Sequence, residues 1–122
     1  MLVPARLRPA SYTDVREALA GDPRSPEQTR LLVKHFLAVL AERAPGASVE
    51  VRVPPYAAVQ AIAGVRHTRG TPPAVVELDA ETWIALATGD LAWADAERDG
   101  RVRASGERAD LSPLLPLTRG AS

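Results

Sequence analysis

Arg66-His67-Thr68-Arg69-Gly70-Thr71 packs two arginines, one histidine and two hydroxyls into six residues. Guanidinium groups together with loop N–H groups suit a carboxylate or a phosphate, so Arg66, His67 and Arg69 form a candidate anion site. The plainer reading is a solvated loop in which Arg69 pairs with a nearby acid such as Glu77. Thr71-Pro72-Pro73 would then only aim the next strand. Elsewhere the chemistry is sparse. His35 sits beside Phe36 on a predicted helix and reads as a partly buried helix residue rather than a general base. His35 and His67 are the only histidines and lack metal-ligand spacing, and there is no cysteine. No metal site is expected. Asp95 and Glu97 stand two apart on a predicted helix, so they diverge and cannot act as a paired acid and base. Neither a Gly-x-Ser-x-Gly elbow nor a glycine-rich phosphate loop occurs, and no internal repeat is found.

These groups must be held by some scaffold. A chain of 122 residues fits one domain with one core. Formal net charge is zero, so no global field steers the protein toward nucleic acid or an anionic membrane. Arg101 and Arg103, on one face of a short strand with acids nearby, do not change that. No segment approaches the roughly 18–20 apolar residues of a membrane span, and no signal peptide is apparent. A cytoplasmic protein without integral membrane segments is expected.

Residues 1–24 read as an amino-terminal arm. Pro4 and Pro9 break early elements, and Thr13 can cap a short helix that carries Val15 and Leu19 and ends at Gly21. The main domain is placed at 25–122. Ser25-Pro26-Glu27-Gln28 combines an N-cap serine, a proline at the first helical position and a glutamine that reaches back. Leu32, Phe36, Val39 and Leu40 then form one apolar stripe, stopped by Pro45-Gly46. Ser48 to Val53 alternates strictly, as a half-buried strand does. Pro54-Pro55-Tyr56 turns the chain into a return strand over Ala57–Ala63, and Ala74–Leu78 is a third strand. Asp79 caps a helix carrying Trp83, Ile84, Leu86 and Ala87. Leu91–Asp99 is a second short helix, and Val102 and Ala104 mark one face of a further strand. Leu111, Leu114 and Leu115 fit a last helical turn or two between prolines. The pattern is α+β, with helices gathered on one side of a mostly antiparallel sheet.

The order and spacing of these elements resemble the sterol-carrier-protein family. The resemblance is carried by ELDAETWIALATGDLAWADAERDGRVRASG, Glu77 to Gly106, with its glycine stops at Gly89, Gly100 and Gly106, and by a terminal helix from Arg108 to Leu117. VEVRVPPYAAVQ and RHTRGTPPAVVE are similar to a small actinobacterial branch of that family. The resemblance spans roughly four fifths of the chain. It implies a five-stranded, mostly antiparallel sheet covered on one side by helices, with a hydrophobic tunnel between the layers for sterols, fatty acids or acyl-CoA esters. It implies neither catalysis nor a cofactor.

Such a tunnel would be lined by Phe36, Leu40, Val59, Ile62, Trp83, Leu86, Trp93, Leu111, Leu114 and Leu115. Arg66, His67 and Arg69 would stand at a headgroup end. The bland reading makes each apolar residue plain core, and the sequence is compatible with both. Pro113 and Pro116 depart from the family pattern, because they interrupt a terminal helix that usually lies near the tunnel mouth. Two other roles stay open. One is an accessory domain for a partner enzyme, as in mycothiol-dependent isomerases. The other is a homodimeric structural module with a closed core.

Overall fold

The computed structural model describes residues 6–64, 73–106 and 109–118. Helix α1 (Tyr12–Ala20) opens it. Its cap is Ser11 rather than Thr13: the Ser11 hydroxyl accepts the Asp14 N–H at 3.1 Å, which leaves Thr13 inside the first turn. Helix α2 (Pro26–Arg43) begins on the predicted capping box. The Ser25 hydroxyl accepts the Gln28 N–H at 3.1 Å, and the Gln28 side chain accepts the Ser25 N–H at 2.9 Å. Leu32, Phe36 and Leu40 of the predicted stripe are buried and Val39 is half-buried.

Strands β1 (Val49–Val53) and β2 (Ala57–Ala61) form the predicted hairpin, in register from Val53 opposite Ala57 to Val49 opposite Ala61. The return strand stops at Ala61 because Ile62 takes a positive φ of 69°, outside any strand and strained for a β-branched residue. Strand β3 (Ala74–Leu78) follows, then α3 (Ala80–Thr88), α4 (Trp93–Arg98) and β4 (Val102–Ser105). Asp79 caps α3 as predicted, its carboxylate accepting the Thr82 N–H at 2.8 Å.

The expected sheet needs correction. Among the described residues it has four strands, not five, in the order β2-β1-β3-β4. Its central pair, β1 and β3, is parallel. Chain direction explains this. The end of β2 lies beside Val49, where β1 starts, and β3 also starts beside Val49. A strand entered there on the free side of β1 must run with β1. The expected terminal helix is corrected too. Only one 3₁₀ turn, Ser112–Leu114, forms among residues 109–118, since Pro113 and Pro116 lack the N–H groups that a longer helix needs.

One core holds the two layers together. Val49, Val51 and Val53 of β1, Val59 of β2 and Val76 of β3 share it with Leu32, Phe36, Leu37 and Leu40 of α2 and with Trp83, Ile84 and Leu86 of α3. Each large side chain covered this way contributes about 1.5–3 kcal/mol. Alternate residues leave the opposite face of the sheet polar. There Arg52 pairs with Glu50 and stands opposite Glu77, which in turn faces Arg103. Trp83 joins α3 to α2 by a second bond, its indole N–H reaching the Val33 carbonyl at 3.3 Å. The indole N–H of Trp93 is buried with no partner among the described residues.

Candidate functional site: a cleft between the first two helices

Most of the ten predicted tunnel residues are core. Phe36, Leu40, Val59, Trp83, Leu86, Trp93 and Leu111 are buried in the central cluster. Ile62, Leu114 and Leu115 are half-buried against it. Nine of the ten, all but Phe36, stay off the wall of the cleft described next. Arg66, His67 and Arg69 lie outside the described residues.

The cleft, with a volume of about 650 Å³, runs between α1, α2 and the end of α3. That is well within the size range of small-molecule sites. None of its lining residues belongs to a strand. The apolar wall comes from four places: Val15 and Leu19 on α1, Phe36 and Val39 on α2, Ala10 before α1, and Leu117 near the carboxyl end. Val15 and Leu19 stand one turn apart, so both turn toward α2. Leu117 is tied in by its N–H, which donates to the Ala87 carbonyl at 2.8 Å; the Thr118 N–H reaches the same oxygen at 3.1 Å.

Polar groups are set around this apolar wall. Arg16 stacks over the Tyr12 ring, 5.7 Å from its centroid, and donates to the Tyr12 hydroxyl at 3.3 Å. Arg24 pairs with Glu81 at 3.2 Å across the entrance to α3. Arg43 stands exposed in the last turn of α2. Asp90 carries the sole carboxylate of the wall among the described residues, near Thr88.

His35 links the cleft to the segment before α1. Its Nδ1 accepts the Ala10 N–H at 3.0 Å, which places the remaining ring proton on Nε2. The ring meets Phe36 edge-on at 4.9 Å. Burial pushes the His35 pKa below its ordinary value, while the charge of Glu42 pulls in the opposite direction. Protonation at Nδ1 would set a donor against the Ala10 donor. The unfolded chain therefore binds the proton more readily than the folded one. The stability that neutral His35 contributes is complete above pH ~6.5 and falls as pH drops from there through the lower folded value. Urea unfolding at pH 7.5 and at 5.5 should show a loss in the wild type that shrinks in His35→Gln. The exchange protection of the Ala10 amide, corrected for the pH dependence of free amides, should fall over the same range in the wild type alone.

Among the described residues no group of three or more His, Cys, Asp or Glu side chains could hold a metal ion. No helix among them is long and apolar enough to cross a membrane.

Comparison with known families adds the lineage. A family model described as Bacterial SCP ortholog matches residues 25–117, more than three quarters of the chain. The chain belongs to this family. Membership in the bacterial sterol-carrier-protein-like family suggests, at a coarse level, a lipid-binding carrier. No curated protein matches the chain. The family match begins at Ser25. Ala10, α1 and Arg24, which build one whole wall of the cleft, precede it.

Sequence reading missed this wall because its pieces are scattered. Val15 and Leu19 did show the four-residue spacing of a buried helix face. Treating residues 1–24 as an arm hid that these two side chains close a cavity instead of merely covering a surface.

Proposed function

We propose that the protein is a non-catalytic carrier of a hydrophobic small molecule such as a sterol, a fatty acid or an acyl ester. The ligand occupies the cleft between α1 and α2. The observation that carries this reading is the cleft itself: an apolar floor of Val15, Leu19, Phe36, Val39 and Leu117 with polar groups around it, in a chain whose family suggests a lipid-binding carrier. Trp83, Phe36, Leu37 and Leu40 belong to the core that sheet and helices share, and none is more than 1% exposed. A ligand there would have to displace them at several kcal/mol each. A ligand in the cleft displaces only water.

Solvent extraction of the purified protein followed by mass spectrometry should recover a hydrophobic compound in near-stoichiometric amount. Val39→Trp fills the cleft from its floor, at a half-buried position of α2. It should abolish recovery while the circular dichroism stays native. Recovery unchanged in Val39→Trp would remove the ligand from the cleft, and no compound from either protein would remove the carrier reading.

A further inference from the structure

Among the described residues three arginines line the cleft, and their surroundings differ. The guanidinium of Arg16 is engaged with the ring and hydroxyl of Tyr12. Arg43 is exposed at the end of α2. Arg24 is the enclosed one, with its side chain 22% exposed. Among the described residues only its Nη1 has a partner, Oε2 of Glu81. Its Nε is buried with no hydrogen-bond partner among the described residues. Its Nη2 makes no hydrogen bond among them either. Nε and Nη2 form one planar edge of the guanidinium, the edge that grips a carboxylate or phosphate with two parallel bonds. A buried Nε–H without an acceptor is unfavourable, so a small shift of the Arg24 side chain that brings this edge to an acceptor is favoured.

We infer that Arg24 is the headgroup anchor of the cleft, and that the ligand is an anionic amphiphile whose carboxylate or phosphate lies on the Nε–Nη2 edge of Arg24 with its chain along Leu19, Val15 and Val39. This deepens the carrier reading and rests on it. Polarity along α3 fixes the direction. Arg24 stands at the start of α3 through Glu81, whereas Asp90 lies just past its end. Nine residues of helix separate those ends by about 13 Å. An anion is therefore attracted at the Arg24 end and repelled at the Asp90 end. Glu81, itself 66% exposed, is the anion's competitor for the same guanidinium.

Calorimetry of the full chain with dodecanoate, dodecyl phosphate, dodecanol and inorganic phosphate tests this. Both anionic amphiphiles should bind at least about tenfold more tightly than dodecanol, the size expected of a charge-assisted pair. Inorganic phosphate alone should bind far more weakly, since it lacks the chain. Arg24→Gln should erase the preference over dodecanol. Arg24→Lys keeps charge near the same place but loses the planar fork, and should retain part of the preference. Glu81→Gln should hold or tighten dodecanoate binding. If Arg24 only pinned α3 through its ion pair, Glu81→Gln and Arg24→Gln would weaken binding alike, and the inference fails. It fails also if dodecanol matches dodecanoate, a result that leaves the carrier reading standing. Inorganic phosphate as tight as dodecyl phosphate would make the site one for free anions and overturn it. Absence of binding by all of the chain-bearing probes would bring down both.

Discussion

Replacing Trp83 with alanine is expected to cost about 3–5 kcal/mol of folding stability. That is a large part of the 5–15 kcal/mol that typical domains possess. Trp83 is fully buried and is the largest of the enclosed side chains. It belongs to the core cluster that joins α2, α3 and the sheet, and its indole N–H adds the bond to the Val33 carbonyl. Truncation opens a cavity of aromatic size and also removes the bond. Trp83→Phe separates the two contributions, because it keeps one ring and loses the N–H. Its cost should fall well below that of the alanine variant. Urea unfolding followed by circular dichroism gives both values. A Trp83→Ala penalty under about 1 kcal/mol would mean that the layers do not meet there.

Gly46→Ala is expected to be nearly as damaging, at about 2–5 kcal/mol, although it adds a single methyl group. Gly46 has φ of 148°, and an added Cβ would run into the backbone of Ile62 and Ala63. Nothing there is a flexible side chain that could swing away. The same junction is tightly bonded. The Ile62 N–H donates to the Ala44 carbonyl at 2.6 Å, and the Ile62 carbonyl accepts from the Ser48 N–H at 3.0 Å and from its hydroxyl at 2.7 Å. These bonds tie the end of α2 to the end of β2, and they hold Ile62 in its unusual conformation. Gly100 provides the control. It also has a positive φ, 71°, but an added Cβ would meet nothing within 4 Å. Gly100→Ala should therefore cost only the conformational part, about 1–2 kcal/mol. Equal losses at the two positions would show that crowding at Ile62 is not what makes Gly46 necessary.

Local signals in the sequence carried most of the element boundaries. Ser25-Pro26-Glu27-Gln28 set the start of α2 because both halves of its capping box are side-chain bonds within four residues. Asp79 did the same for α3. The alternation of Val49, Val51 and Val53 stated which face of β1 is buried. Pairing was less legible. Periodicity says nothing about neighbours, so the parallel placement of β3 beside β1 emerged only from where β2 ends. The cap of α1 was placed at Thr13, two residues past the true one, because both are hydroxyl residues of the right type; the extended backbone at Ser11 lets its hydroxyl accept the Asp14 N–H. Of the ten apolar residues assigned to a tunnel, seven are buried and Ile62, Leu114 and Leu115 are half-buried. Hydrophobicity alone, however, cannot separate a side chain that fills space from one that borders it. The cleft draws on α1, α2, the end of α3 and Leu117, whose juxtaposition no sequence window contains. Arg24 carried no motif at all. It stands out through a buried N–H, which is a property of packing.

The most direct test of the account is an amide NMR titration of the full chain with dodecanoate. Saturable shifts are expected at Val15, Leu19, His35, Val39 and Leu117, the residues around the cleft. Val51, Val59 and Val76, on the sheet side of the core, should stay where they are. Shifts concentrated on those three valines and Trp83, with α1 unmoved, would put the ligand between sheet and helices and contradict it.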